Sequence, residues 1–291
     1  MRRVVRRLFD VIYSVKWWLT YYRYKRYPVK DNYSNLPLCT SGDVVLVIAP
    51  HADDELLSCY TILSQSDCEK SVYYCGFTGS NSGLQNREVR RQEITLLCNY
   101  LHVPCIDGDG QERNLERLLQ QKSFNKIIIP SLADWHPEHR KVNYMLVDIC
   151  RRLNIHPDIY WYSVTVPIES GQEVRYMPMS CVDQRCKYKL FKQVYCSQSF
   201  MPLYRFKMNE RINGHYSKCY AAEVFMPVSF NNLVNLVNQL QQDESAMSGL
   251  IGDIDTTKHH INDIVSVRNL SNRIYNTFDH ISSQAIITPH E

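Results

Sequence analysis

Two short runs of unbroken apolar residues, Val44-Val45-Leu46-Val47-Ile48 and Ile127-Ile128-Ile129, constrain this chain more than any other feature. Neither alternates polar with apolar, so each suits a strand covered on both faces, and such strands belong to parallel sheets packed between layers of helices. Val72 to Phe77, Val103 to Ile106 and Ile159 to Val164 read as further strands, while Arg87 to Leu101, Glu112 to Gln121 and Val142 to Leu153 carry helical spacing. The alternation predicts an α/β fold: a Rossmann-like, mostly parallel sheet flanked by helices, with its sites past the carboxyl ends of the strands.

Those carboxyl ends are where the reactive side chains gather. The first run continues into His51-Ala52-Asp53-Asp54-Glu55. Three adjacent carboxylates repel one another and lose solvation on burial unless a cation compensates them, so a metal is the simple physical reason for placing them there. Acidic loops of this kind also bind Mg²⁺ in phosphoryl-transfer enzymes, and Asp53 is also placed to cap a helix beginning near Asp54. The other run continues into Ser131-Leu132-Ala133-Asp134-Trp135-His136-Pro137-Glu138-His139. With Pro137 in the first turn of a helix, His136 and His139 are three apart and point to the same side. Imidazoles with a carboxylate select zinc over Mg²⁺, Fe²⁺ and Co²⁺ suit the same donors, and three protein ligands leave a position open for water.

The sequences HADDE and HPEH resemble the PIG-L/LmbE-like family of zinc-dependent N-acetylglucosamine de-N-acetylases, whose hallmarks are His-Pro-Asp-Asp-Glu after the first strand and His-Pro-Asp-His after a later one. Ala52 and Glu138 depart from that pattern without removing a presumed ligand. Arg90-Arg91-Gln92-Glu93 through Leu101 is similar to the family's Arg-rich helix, Lys189 to Gln198 to its late Lys…Tyr-x-Ser-Gln helix, and Ala222-Glu223-Val224-Phe225 to its final strand, so the resemblance spans about residues 43 to 226. It implies that His51, Asp54 and His139 bind the metal and that Asp53 is the general base. It implies that His136, off the metal, stabilises the oxyanion or protonates the leaving amine, and that Arg90 and the Asp109 turn contact the substrate, an N-acetylated amino sugar. Glu55 is expected to support the site or start the helix rather than act as a ligand.

Charge narrows the partners. The 291-residue chain is +3 overall, but residues 1–30 hold nine Lys/Arg against the single acid Asp10, so the remainder is net acidic and nucleic acid is not an expected partner. In residues 2–24, Val4, Leu8, Val11, Ile12, Val15, Trp18, Leu19 and Tyr22 share one side of a helical wheel, opposite Arg3, Arg6, Arg7, Asp10 and Ser14. That pattern fits a helix lying on an anionic membrane surface, a helix packed on its own domain, or a targeting segment. No stretch approaches the roughly 18–20 apolar residues of a membrane span. Eleven cysteines with no CxxC pair fit a reducing compartment, which places the chain in the cytoplasm, peripheral on the inner face of a membrane if the helix docks there.

The expected division is 1–42 for the basic helix and linker, 43–228 for the deacetylase-like domain, and 229–291 for a helical C-terminal extension. Leu233, Leu240, Met247, Ile254 and Ile261 recur at seven-residue intervals. Helices folded back on the domain are the favoured reading, and a homo-oligomer contact is the alternative. The expected activity is removal of acetyl from an N-acetylglucosamine-type sugar, lipid-linked and in glycolipid or envelope polysaccharide synthesis. The rivals are a soluble N-acetylglucosaminyl conjugate as substrate, a non-catalytic scaffold, and a Mg²⁺-dependent phosphohydrolase.

Overall fold

A computed structural model describes residues 2–26, 33–34, 38–77, 84–168, 174–242, 247–260 and 262–285, with the side chains of 2–10, 33–34, 84–85, 242 and 284–285 outside the described set. In chain order the elements are α1 (Arg2–Tyr24), β1 (Tyr33–Ser34), β2 (Val44–Ala49), α2 (Asp54–Gln65), β3 (Glu69–Tyr74), α3 (Leu84–Tyr100), β4 (Cys105–Asp107), α4 (Glu112–Gln121), β5 (Lys126–Pro130) and α5 (Pro137–Leu153). They continue with β6 (Asp158–Tyr162), β7 (Val174–Met179), α6 (Cys181–Val194), a 3₁₀ turn at Cys196–Gln198, α7 (Leu203–Tyr216), β8 (Ala221–Val228), α8 (Phe230–Gln242), α9 (Ser248–His260) and α10 (Ile264–Ala285).

The described strands form one mixed sheet in the order β1-β7-β8-β6-β5-β2-β3-β4. Every pairing is parallel except those of β8 with β6 and with β7. Val45 to Ile48 and Ile127 to Ile129 are inaccessible to solvent, as their unbroken apolar character requires. Helices cover both faces: one apolar cluster joins Leu46, Ile48 and Ile127 to α4, α5 and the C-terminal helices, and another joins Val45, Val47 and Ile128 to α2, α3 and α6. The chain runs outward from β2 through β3 to β4, then returns to lay β5 on the other side of β2. The carboxyl ends of β2 and β5 therefore flank a topological switch point, where open α/β sheets leave a crevice.

The structure departs from the expectations in four places. The strand expected at Val103 to Ile106 is shifted to Cys105–Asp107, and the strand from Ile159 stops at Tyr162. The strand β7, which includes Pro178, was not anticipated; its mixed polar and apolar order and its proline weaken the signal. On α1, Trp17, Thr20 and Tyr21 are the buried residues, with Trp17 and Tyr21 against Met208, Ile212 and Tyr216, while Val11, Ile12, Val15, Leu19 and Tyr22 are each more than half exposed. Among the described side chains most of the wheel's apolar side thus faces outward, apart from Trp18, whose ring centre lies 5.0 Å from the Arg211 guanidinium, and a neighbouring aromatic stripe makes the buried contact. The contributions of Val4, Leu8, Arg3, Arg6, Arg7 and Asp10 lie outside the described side chains, as do most of the expected linker and Ile261.

The C-terminal helices pack on the core: Leu233, Leu240 and Ile254 are buried with Ile127 and Trp161, and Phe278 lies 5.7 Å from the Trp161 ring. They also reach the site loops, since Ser131 and Tyr275 share a buried 2.6 Å hydrogen bond and Lys258 sits 5.2 Å from the Trp135 ring centre. Among the described residues no helix is long and apolar enough to cross a membrane.

Candidate metal centre and active site

Directly past β2, the backbone turns sharply at Asp53, whose φ of +146° is a region L residues seldom occupy. The turn lets His51 and Asp54 face the same point: Asp54 Oδ2 accepts from the His51 backbone N–H at 3.0 Å and lies 3.1 Å from His51 Nδ1. From β5, Pro137 occupies the first turn of α5 and His136 is its N-cap, the Nδ1 of its ring accepting from the Glu138 N–H at 3.3 Å. One turn along, His139 Nε2 lies 3.2 Å from His51 Nδ1 and 3.3 Å from Asp54 Oδ2.

Three donor atoms at mutual distances of 3.1, 3.2 and 3.3 Å fit a metal closely. A tetrahedral ion with bonds of about 2.0–2.1 Å holds its ligand atoms about 3.3 Å apart. The outer nitrogens are also set for it. His51 Nε2 meets Glu138 Oε2 at 2.6 Å, and His139 Nδ1 lies 3.3 Å from Asp134 Oδ2. With a cation bound and one proton on each of these outer nitrogens, His51 Nδ1 and His139 Nε2 would present lone pairs to it beside the Asp54 oxygen. Asp134 is fixed in turn by the His136 N–H at 2.9 Å and the Thr165 hydroxyl at 2.8 Å. His51, His136 and His139 form a looser trio, with one nitrogen from each within 4.8 Å of the others.

The electrostatics follow from the same crowding. Burial opposes charge on His51, but Asp54 and Glu138 outweigh it and raise the imidazole to about 9. His139 is likewise raised against burial by Asp54 and Asp134, and both imidazoles hold Asp54 well below the usual carboxylate range. Burial pushes His136 down to about 4, helped by the neighbouring imidazoles, so its ring is the neutral one. Burial first, then the Asp54 charge, drives the Asp53 carboxyl well above its usual range. The two adjacent aspartates are therefore held apart in proton affinity.

Asp53 makes no side-chain capping hydrogen bond, although it occupies the N-cap position of α2. Its backbone N–H is taken by Glu55 at 3.2 Å, and Glu55, fully buried, is bonded by the Tyr195 hydroxyl. Gln198 donates to the Ala52 carbonyl at 3.2 Å. The Tyr-x-Ser-Gln segment thus braces the HADDE turn from behind.

Helix α2 itself is broken at Cys59, whose φ of −127° and ψ of 17° are not helical. A buried ionic knot satisfies the backbone groups around the break. Glu223 accepts from the Tyr60 and Thr61 N–H groups at 3.0 and 2.9 Å, and Lys187 donates to the Leu57 carbonyl at 2.8 Å. Lys187 also bonds Glu223 at 2.6 Å and Glu210 at 2.5 Å. Asp54, at the start of α2, is therefore positioned by residues from α6, α7 and β8.

A cavity of about 310 Å³ opens on the donor atoms, lined by His51, Asp53, Asp54, Arg90, Trp135, His136 and His139 among others. Arg90 is thus brought to the site. Asp109 is not: its side chain is 61% exposed and paired with Arg87 at 2.9 Å, in a turn of positive φ. Sequence reasoning missed Asp134 and Glu138 as partners of the imidazoles, and missed Arg205 on the cavity wall. The two acids carried a signal, since both lie inside the second cluster. Arg205 carried none, because only the fold brings α7 there.

Solved structures share this architecture. A 4-carboxy-2-hydroxymuconate hydratase from Pseudomonas putida matches with a TM-score of 0.53 at 12% identity, covering 64% of this chain and 96% of its own. The pseudoaglycone deacetylase Dbv21 matches with a TM-score of 0.50 at 12% identity, covering 65% of this chain and 98% of its own. A hydratase and a deacetylase together show the fold and select no reaction. No family model matches the chain, and no curated protein matches it in sequence.

Proposed function

We propose that this chain is a metal-dependent N-deacetylase that hydrolyses the acetamide of an N-acetylglucosamine-type sugar. The observation carrying this reading is the trio His51 Nδ1, Asp54 Oδ2 and His139 Nε2 at tetrahedral spacing, with an unligated carboxylate, Asp53, next to it in sequence. Zinc, or Fe²⁺ or Co²⁺, held by these three residues would supply Lewis acidity toward water and the amide carbonyl. Asp53, whose raised proton affinity suits a general base, takes the proton from the attacking water. His136, neutral and on the same cavity, donates a hydrogen bond to the oxyanion, and the proton that Asp53 took from water passes to the leaving amine. Arg90 presents its planar fork to sugar or phosphate oxygens. The likeness of HADDE and HPEH to the PIG-L/LmbE-like pattern supports the reaction class.

The site belongs, on this reading, to a domain of residues 43–228 acting on a lipid-linked amino sugar in glycolipid or envelope polysaccharide synthesis, on the cytoplasmic face of a membrane. Support comes from α1, where Val11, Ile12, Val15 and Leu19 stand exposed in the basic N-terminal segment. The experiment is acetate release by metal-replete protein from separated lipid and aqueous cell extracts, with Asp53→Asn as the control. Release from the lipid fraction alone, lost in the variant, is expected; release from the aqueous fraction alone assigns a soluble conjugate, and release from neither refutes the deacetylase. Val15→Glu with Leu19→Glu, on the exposed side of α1, is expected to abolish co-sedimentation with anionic vesicles.

A further inference from the structure

Arg205, in the first turn of α7, is 9% exposed and lines the same cavity as the donor atoms. Among the described residues its guanidinium makes no ion pair and donates no hydrogen bond; its nearest recorded contact is the Phe206 ring, whose centre lies 5.4 Å away. Two other deeply buried cations meet protein acceptors, Lys187 with counter-charges and Arg268 with amide oxygens for part of its fork. Lys187 has Glu210, Glu223 and the Leu57 carbonyl, and Arg268 donates to Asn209 and Asn213. A guanidinium has five N–H donors, and those of Arg205 open on the cavity and meet no protein acceptor among the described residues, so the fork is free to take a ligand. Burial lowers the proton affinity of Arg205, Tyr204 and the Asp134 carboxylate offset this only in part, and an anion seated beside the guanidinium would offset more of it.

Arg90 lies on the same cavity wall, and it too makes no hydrogen bond or ion pair among the described residues. Two planar forks with ten donors exceed the needs of a neutral sugar ring, and one that grips a phosphoryl group leaves the other for the sugar. We propose that Arg205 binds a phosphoryl group carried by the substrate, so that the amino sugar is recognised as a phosphate ester. The inference rests on the deacetylase reading for the amide end of the substrate, but the anion subsite can be tested without turnover.

The experiment is calorimetric binding to holoprotein of three probes: N-acetylglucosamine 1-phosphate, its octyl phosphodiester, and neutral methyl N-acetylglucosaminide. The better of the two phosphate probes is expected to bind at least tenfold more tightly than the neutral glycoside. Arg205→Met should abolish that preference while leaving affinity for the glycoside unchanged, and Arg205→Lys should restore part of it as a point charge. Preference for the diester assigns a glycosyl phosphodiester such as a lipid headgroup, and preference for the monoester a free sugar phosphate; either supports the anion subsite. Equal affinity for charged and neutral probes, or a preference that survives Arg205→Met, overturns it. Thermal midpoints of the variants within a few degrees of the parent establish that they fold. Acetate release from the same probes is read separately: Arg205-dependent binding without release leaves the subsite standing and removes the deacetylase.

Discussion

Replacing Lys187 by Met removes the cation from the ionic knot beneath α2. Its side chain is fully buried, and it bonds two carboxylates, Glu210 and Glu223, that are buried themselves. Glu223 keeps the Tyr60 and Thr61 N–H groups and Glu210 keeps Gln184 and Tyr188, but neither carboxylate keeps a counter-charge. Removing one partner of such a pair costs about 3–5 kcal/mol, mostly from the charge left behind. At about 2–4 °C per kcal/mol the thermal midpoint should fall by about 6–20 °C. Lys187→Met combined with Glu210→Gln and Glu223→Gln leaves no uncompensated charge and should recover most of the loss. Because the knot holds the kinked α2, the single variant should also bind metal more weakly through Asp54. Scanning calorimetry at fixed metal concentration measures the first effect. A single variant within about 1 kcal/mol of the parent, or a triple variant no better than the single, would refute the reasoning.

Three other perturbations isolate other links. Asp53→Asn should retain the metal and lose about 10²–10⁴-fold in acetate release, read by paired metal analysis and kinetics. Glu138→Ala, which frees His51 Nε2, should weaken metal affinity about 10–100-fold in a chelator competition. Asp43, bonded by Lys126 at 2.6 Å and by the Thr40 N–H at 2.6 Å, is held below the usual carboxylate range against the opposing effect of burial. Its stabilisation is therefore present above its unfolded pKa of about 3.9 and lost as pH falls through the folded value. The midpoint advantage of the parent over Asp43→Asn should be constant above about pH 5 and shrink steadily below pH 4.

Much of the fold was legible because buried parallel strands announce themselves: Val44 to Ile48 and Ile127 to Ile129 have no polar face to hide. The meeting of the two clusters at the candidate site was legible for the same reason, since HADDE and HPEH follow those strands and the switch point brings their ends together. The register of β7 was not, because Pro178 and the mixed composition of Val174–Met179 resemble a loop. Nor was the docking side of α1. A helix with aromatic residues on two stripes can turn either toward its domain, and only Met208, Ile212 and Tyr216 decide that Trp17 and Tyr21 are buried while Val15 and Leu19 are not. Lys187 and Arg205 illustrate the general limit: a buried cation reads as a surface residue until the fold shows what faces it, two carboxylates in one case and an open cavity in the other.

The central claim is that one divalent ion sits among His51, Asp54 and His139, with His136 outside its ligand set. Metal content and zinc-edge absorption spectroscopy of the parent, Asp54→Ala and His136→Ala test it directly. The account predicts one ion per chain with nitrogen and oxygen ligands at about 2.0–2.1 Å, lost in Asp54→Ala and retained with unchanged ligand distances in His136→Ala. An ion that survives Asp54→Ala and is lost in His136→Ala would place it in the looser three-histidine arrangement and contradict the mechanism built on Asp53 and His136.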